Sequence, residues 1–235
     1  MNINIYSLIE GAKQAKGLTV VIDVFRAFTV EAYLAKNNAA KIIPVKDVDF
    51  AFEYKKNHPN AVLCGERGGK IVDGFDYGNS PSQIENVDFT GKTVIHTTSA
   101  GTQGIANAIY ADEIIGGSLV CAKAIAEYIK QKNPKDVSLV AMGLAGERDT
   151  DEDILCAEYI KNILLDLPTP DIDERIEKIK TTDGAKFFDK EQQNVFPERD
   201  FFLSTKYDSF DFVLRITKDI ETGLDCMEKV DIMVK

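Results

Sequence analysis

The sequence predicts an α/β fold: a layered sheet, mostly parallel over the first two-thirds of the chain, with helices on both faces and an α+β appendage at the C-terminus. Three observations point there. Short apolar runs recur near residues 18–23, 39–45, 61–65, 92–97, 112–116 and 137–142, with the length and β-branched content of buried strands. Helical periodicity fills the gaps at 30–36, 48–56, 102–110, 119–130 and 152–165, several of these segments opened by Ser, Thr or Asp as caps. Such alternation is the pattern of a sheet covered by helices. Finally, several runs stop at a turn and hand over to charge. Gly65-Glu66-Arg67 follows Ala61-Val62-Leu63-Cys64, Gly146-Glu147-Arg148 follows the run at 137–142, and Asp23 and Arg26 follow Leu18-Thr19-Val20-Val21-Ile22.

Taken in order, the first elements are the strand at 18–23, the helix at 30–36, the strand at 39–45 and the helix at 48–56. The strand at 61–65 opens into a looser stretch, residues 68–82, whose four glycines make it too irregular for the core and long enough to fold over a site. The strand at 92–97 runs through Thr97-Thr98-Ser99-Ala100-Gly101-Thr102 into the helix at 102–110. The strand at 112–116, the helix at 119–130, the strand at 137–142 and the helix at 152–165 complete the regular part. Pro168 and Pro170 then break the pattern before a charged amphipathic helix at 171–180. Beyond it, aromatic residues cluster at Phe187, Phe188, Phe201 and Phe202, and strand patterns return at 210–216 and 231–234. This segment reads as an appendage that completes the sheet or covers an edge. Residues 1–235 are read as a single domain, with about 171–235 as a candidate subdomain.

Composition narrows the function. A formal net charge of −10, with no Lys/Arg-rich run, argues against nucleic-acid binding. No apolar stretch reaches the ~20 residues needed to cross a bilayer, and the N-terminus lacks a basic-then-apolar leader, so a cytoplasmic protein without a membrane partner is expected. The four cysteines have no C-x-x-C spacing and sit among apolar neighbours, as reduced core cysteines do. Two histidines are too few for a histidine-based transition-metal centre, so any metal would be held by oxygen, which points to Mg²⁺.

In an open parallel sheet, ligands bind beyond the carboxyl ends of the strands. Three strand exits that carry carboxylates and arginines therefore suit a phosphorylated anion together with a divalent cation. Six arginines occur, and Arg26, Arg67 and Arg148 are three of them. The 97–102 turn offers backbone N–H groups, the positive end of a helix and the hydroxyls of Thr98, Ser99 and Thr102, a combination that can cradle phosphate. Asp149-Thr150-Asp151-Glu152-Asp153 packs four acids into five residues, more than helix capping requires, which suggests metal ligation. It is not an EF-hand: counting from Asp149, position six is Ile154 where Gly is needed and position twelve is Ile160 where Glu is needed. Asp171-Ile172-Asp173 lacks the preceding buried strand of an Asp-x-Asp nucleophile. Cys64 to Lys70 lacks the closing arginine of a cysteine-phosphatase loop, and Gly69-Lys70 is followed by Ile71, so no P-loop is present.

Five blocks together resemble a known family: Asp23-Val24-Phe25-Arg26-Ala27, Gly65-Glu66-Arg67-Gly68-Gly69, Gly78-Asn79-Ser80-Pro81, Thr97-Thr98-Ser99-Ala100-Gly101-Thr102 and residues 143–153. In this order they are similar to the motifs of the 2-phosphosulfolactate phosphatases. The resemblance implies an α/β hydrolase, dependent on Mg²⁺, that removes phosphate from 2-phospho-3-sulfolactate in coenzyme M biosynthesis. On that footing Asp23 is expected as general base or covalent nucleophile, with Arg26 and Arg148 in the catalytic set. Arg67, Ser80, Thr98, Ser99, Gly101 and Thr102 are expected on the substrate, and Glu66, Asp151, Glu152 and Asp153 on the metal. The expected partner is a small phosphorylated acid, and assembly as a homodimer is left open. A Mg²⁺-dependent lyase or isomerase of a phosphorylated acid and a non-catalytic binder of an organic phosphate are the rival readings.

Overall fold

All six apolar runs form strands in the computed structural model, which describes residues 1–220 and 222–233. The described residues make ten strands and nine α-helices. In chain order these are β1 (Asn2–Ser7), α1 (Leu8–Ala12), β2 (Gly17–Ile22), α2 (Ala27–Lys36), β3 (Lys41–Val45), α3 (Val48–Asn57), β4 (Val62–Arg67), β5 (Lys70–Ile71), α4 (Pro81–Ile84) and β6 (Thr93–Thr97). There follow α5 (Gly101–Asn107), β7 (Ala111–Gly117), α6 (Ala122–Lys132), β8 (Asp136–Ala141), α7 (Asp151–Leu164), α8 (Ile172–Ile179), α9 (Glu198–Thr205), β9 (Phe212–Lys218) and β10 (Asp225–Asp231). The strands form one sheet in the order β1-β8-β2-β7-β9-β10-β3-β6-β4-β5.

The order contains a feature the sequence reading did not reach. The C-terminal hairpin β9–β10 neither covers an edge nor stands apart: it completes the sheet from its middle, joining the parallel set β1-β8-β2-β7 to the parallel set β3-β6-β4. Buried Val213 and Leu214 of β9 and Met227 of β10 carry it there, with Leu214 opposite Gly116 of β7 and Met227 opposite Ile42 of β3. The final strand lies earlier than the 231–234 expected, because Asp, Glu and Lys interrupt the apolar pattern of β10; Val234 falls outside the described residues. β1 was missed for a similar reason. It is an edge strand alternating Asn with Ile, paired in parallel with β8.

Three successive antiparallel pairings, β7–β9, β9–β10 and β10–β3, make the two parallel sets run in opposite senses. In a flat sheet their carboxyl ends would lie on opposite edges. Strand-to-strand twist of ~20–25° accumulates to roughly 100–125° over the five steps from β2 to β6, enough to turn the exits of one set toward those of the other. The main core lies between sheet and helices, with Val20, Val21, Ile22, Leu34, Ile115, Ile125 and Leu139 among its buried members. A separate apolar cluster of Leu155, Ile172, Ile179, Phe187 and Phe201 holds the segment after α7 against Phe25, at the exit of β2.

Candidate active site

Two of the strand exits at the pocket need backbone that ordinary side chains resist. Gly65, near the end of β4, has φ +149°, and a Cβ there would sit 2.2 Å from the Thr97 carbonyl oxygen. Gly143, just past β8, has φ +61° and would meet the Arg148 carbonyl oxygen at 2.1 Å. Glycine at both points lets neighbouring exits lie close together. The result is a cavity of about 400 Å³ at the carboxyl ends of β2, β4, β6 and β8. Five carboxylates (Asp23, Glu66, Glu152, Asp153, Asp183) and three cations (Arg26, Arg148, Lys186) line it.

The carboxylates are held by backbone donors. Asp23 accepts from the Ala27 N–H at 3.2 Å and the Gly101 N–H at 3.0 Å, which places it between the N-termini of α2 and α5. Glu66 accepts from the Gly69 N–H at 2.6 Å, the Ser99 N–H at 2.9 Å and the Ser99 hydroxyl at 2.8 Å. Asp153 accepts from the N–H groups of Val24 and Gly143, both at 2.8 Å. Glu152 is different: its Oε2 is buried without a hydrogen-bond partner. Crowding and burial show in the proton affinities. Burial, opposed by the N–H bonds and reinforced by Glu66 and Glu31, pushes Asp23 up to about 6. Burial also pushes Glu152 up to about 7, against the pull of Lys186. Asp153 is raised well above the usual carboxylate range by burial first, then by Glu152 and Asp23.

The 97–102 turn therefore does not present the open cradle expected from the sequence. Its N–H groups at Ser99 and Gly101 are donated to Glu66 and Asp23, because the positive end of α5 holds any anion within reach, including the protein's own. Thr98 and Ser99 line the pocket, and the buried Thr98 hydroxyl has no partner. Thr102 lies outside it, its hydroxyl donated back to the Thr98 carbonyl.

Three further expected site residues are turned away by the geometry of their elements. Successive side chains of a strand face opposite sides. With Glu66 in the pocket, Arg67 points out, donating to the carbonyl oxygens of Glu66 and Lys46 and to the Thr97 hydroxyl. Ser80, in extended backbone, is likewise behind the wall, donating to Asp200 at 2.9 Å, while the preceding Asn79 faces the cavity. On α7 each residue advances by about 100°, so Glu152 and Asp153 face inward while Asp151 sits at the surface, accepting from the Thr182 hydroxyl at 2.7 Å. Among the described residues no three His, Cys, Asp or Glu side chains stand as a ready-made metal cluster.

The two remaining arginines differ. Arg26 is buried, and its guanidinium donates to Asp200 at 2.7 Å, the Val195 carbonyl at 2.9 Å and the Gly69 carbonyl at 3.1 Å, beneath the Phe196 ring. Arg148 is exposed at the mouth, donating to Asp183 at 2.7 Å. The cation that sequence reasoning missed is Lys186, from the short 3₁₀ turn Ala185–Phe188. Its ammonium lies 5.5–5.8 Å from the ring centroids of Phe25, Phe187 and Phe196 and makes no ion pair with any described residue. Burial lowers its pKa, against the pull of Glu152. A lysine inside a run of aromatics was the available signal.

The model of the 2-phosphosulfolactate phosphatase family matches residues 3–226. The chain belongs to that family. The family is one of phosphoric monoester hydrolases, and curated relatives agree over most of the chain. A probable 2-phosphosulfolactate phosphatase of Bacillus subtilis is 35% identical over 207 residues, 87% of this chain and 89% of its own length. Proteins of the same name from Clostridium acetobutylicum and Carboxydothermus hydrogenoformans are 36% and 39% identical, over 71% and 70% of this chain and 67% and 68% of theirs. Among the described residues no helix is long and apolar enough to cross a membrane.

Proposed function

We propose that the chain hydrolyses 2-phospho-3-sulfolactate to 3-sulfolactate and phosphate with the help of Mg²⁺. The observation that carries this reading is the pocket itself: cations and carboxylates from the exits of β2, β4 and β8 and from the segment at Asp183 and Lys186 meet in one cavity of a phosphatase-family chain. A substrate with phosphate, sulfonate and carboxylate groups brings more negative charge than Arg26, Arg148 and Lys186 can balance beside five carboxylates. A hard cation would close that gap. The donors present fit one in chemistry, being all oxygen, with a partnerless buried oxygen on Glu152 and mutual repulsion among Glu152, Asp153 and Asp23. Mg²⁺ is commonly held by only one or two carboxylates plus substrate oxygens and water, so Glu152 and Asp153 suffice and no preformed cage is needed. When bound, the metal would neutralise charge developing on the phosphoryl oxygens.

The protein's own groups supply the rest. Asp23, fixed by two N–H donors and with a pKa of about 6, is ionised at neutral pH yet basic enough to take a proton from attacking water as the ester P–O bond breaks. Lys186, lacking an acid of its own, binds an anionic oxygen of substrate or leaving group, and Arg148 meets the substrate at the mouth. Phosphate release from synthetic 2-phospho-3-sulfolactate is the test. It is expected to stop with EDTA and return with Mg²⁺; full turnover in metal-free buffer would remove the metal, and conversion without phosphate release would favour a lyase or isomerase.

A further inference from the structure

Behind the β4–β6 wall of the pocket lies a buried chain of three polar side chains that the reaction described above does not use. Glu31 of α2 and His96 of β6 are joined by Oε1 and Nδ1 at 2.7 Å, and His96 Nε2 lies 3.2 Å from Oδ1 of Asn79. Glu31 and His96 are fully enclosed, whereas Asn79 lines the cavity. Its Nδ2 has no partner among the described residues and is not sealed off.

The arrangement fixes which end of the amide faces the pocket. An ionised Glu31 beside an imidazolium, or a protonated Glu31 beside a neutral imidazole, are the same pair with one proton moved between oxygen and Nδ1. In both, Nε2 carries a hydrogen, so the Asn79 carbonyl oxygen accepts and its NH₂ is left toward the cavity. The remaining state, Glu31 ionised beside an imidazole bearing hydrogen only on Nδ1, would set a lone pair against a lone pair and bury an uncompensated carboxylate. Burial favours the protonated pair, since it raises the Glu31 pKa against the hydrogen bond from His96, and Glu31 Oε2 has no partner.

We propose that Asn79 binds an anionic oxygen of the substrate through Nδ2, and that His96, backed by Glu31, is the positioning residue that holds this amide with its donor face inward. The proposal rests on the phosphatase reading for its substrate and supplies that site with a neutral oxyanion donor on its β6 side.

The experiment uses four variants of the full chain: Asn79→Leu, His96→Gln, His96→Asn and the double variant Asn79→Leu/His96→Asn. A glutamine amide can place its nitrogen where His Nε2 stood and an asparagine amide where Nδ1 stood, so only His96→Gln keeps the donor to Asn79. Asn79→Leu is expected to lower kcat/KM about tenfold to a hundredfold. His96→Asn should lose about tenfold, His96→Gln should recover most of that loss, and the double variant should be no worse than Asn79→Leu alone. Additive losses, equal losses in both His96 variants, or normal kinetics in Asn79→Leu would overturn the proposal. Orthophosphate binding by calorimetry separates it from the functional reading. If the wild type fails to release phosphate from phosphosulfolactate, that reading falls, while a roughly tenfold weaker orthophosphate affinity in Asn79→Leu still supports the Asn79 donor and an unchanged affinity refutes it.

Discussion

Replacing Lys186 by methionine is expected to lower activity without lowering stability. Methionine keeps the unbranched stem that lies among Phe25, Phe187 and Phe196 and removes only the ammonium. Two magnitudes follow. A charge-assisted hydrogen bond to a substrate oxyanion contributes roughly 1.5–3 kcal/mol, so its loss should lower kcat/KM by about one to two decades. For stability the sign is opposite. Burial sets the folded-state pKa of Lys186 below its unfolded value, so the charged form is less favoured in the folded protein than in the unfolded chain. That cost fades only as pH rises through the folded pKa, hence Lys186→Met should unfold at the same temperature as the wild type or higher at pH 7. Steady-state phosphate release and thermal unfolding in one buffer measure both. Unchanged kcat/KM would show that the ammonium does not meet the substrate, and a lower Tm with normal kcat would make Lys186 a prop for the aromatic cluster.

Asp23→Asn keeps the shape and the Ala27 bond but removes the basicity, and turnover should fall by ~10² or more with the fold intact; a fully active folded variant would take Asp23 out of the mechanism. Arg148 is exposed and shared with Asp183, so Arg148→Ala should raise KM by only about two- to tenfold, the small effect of a solvent-screened charge, and unchanged KM would place the side chain in solvent throughout the reaction. Asp23 and Glu152 have folded pKa values raised to about 6 and about 7. Their protonated forms favour the folded state at low pH, and that stability is lost as pH rises from the unfolded values near 4 through the folded ones. Metal-free protein should accordingly lose Tm between pH 4.5 and 7.5, and Mg²⁺ should raise Tm more at pH 8 than at pH 5; a Mg²⁺ effect equal at both pH values would sever the metal from these carboxylates.

The strands were legible because runs such as Leu18-Thr19-Val20-Val21-Ile22 and Val137-Ser138-Leu139-Val140-Ala141 advertise burial on both faces. β1 and β10 were not, since alternating Asn, Glu and Lys reads as surface until a neighbouring strand covers one side. Within the site, residue type was readable but direction was not. Glu66 and Arg67 are equally charged neighbours in the sequence, and only the phase of β4 sends one into the pocket and the other out. Asp151 and Asp153 are separated in the same way by the turn of α7. A Gly- and Ser-rich helix entrance announces that it will hold an anion, not whose. Here Glu66 and Asp23 occupy N–H groups that the sequence alone would offer to phosphate. Lys186 escaped because a lysine between phenylalanines is compatible with a stem that reaches for solvent.

The fate of Arg26 explains why the C-terminal third belongs to the site. Its guanidinium, at the exit of β2, is paired with Asp200 of α9, and the other Asp200 oxygen accepts from Ser80 and from the Ser82 N–H. A buried pair of this kind contributes little net stability against its desolvation, although breaking it costs about 3–5 kcal/mol. What it supplies is registry. One carboxylate ties the β2 exit, the 78–82 loop and α9 together, and two carbonyl bonds from Arg26 add the segment at Val195 and the turn at Gly69. These ties fix where Asn79 and Phe196 stand on the pocket wall, and with the aromatic packing of Phe25, Phe187 and Phe201 they set Lys186 over the cavity. Arg26, which lines the cavity, thus also assembles its wall, and the segment read as completing the sheet or covering an edge brings a further cation, Lys186, to the same cavity.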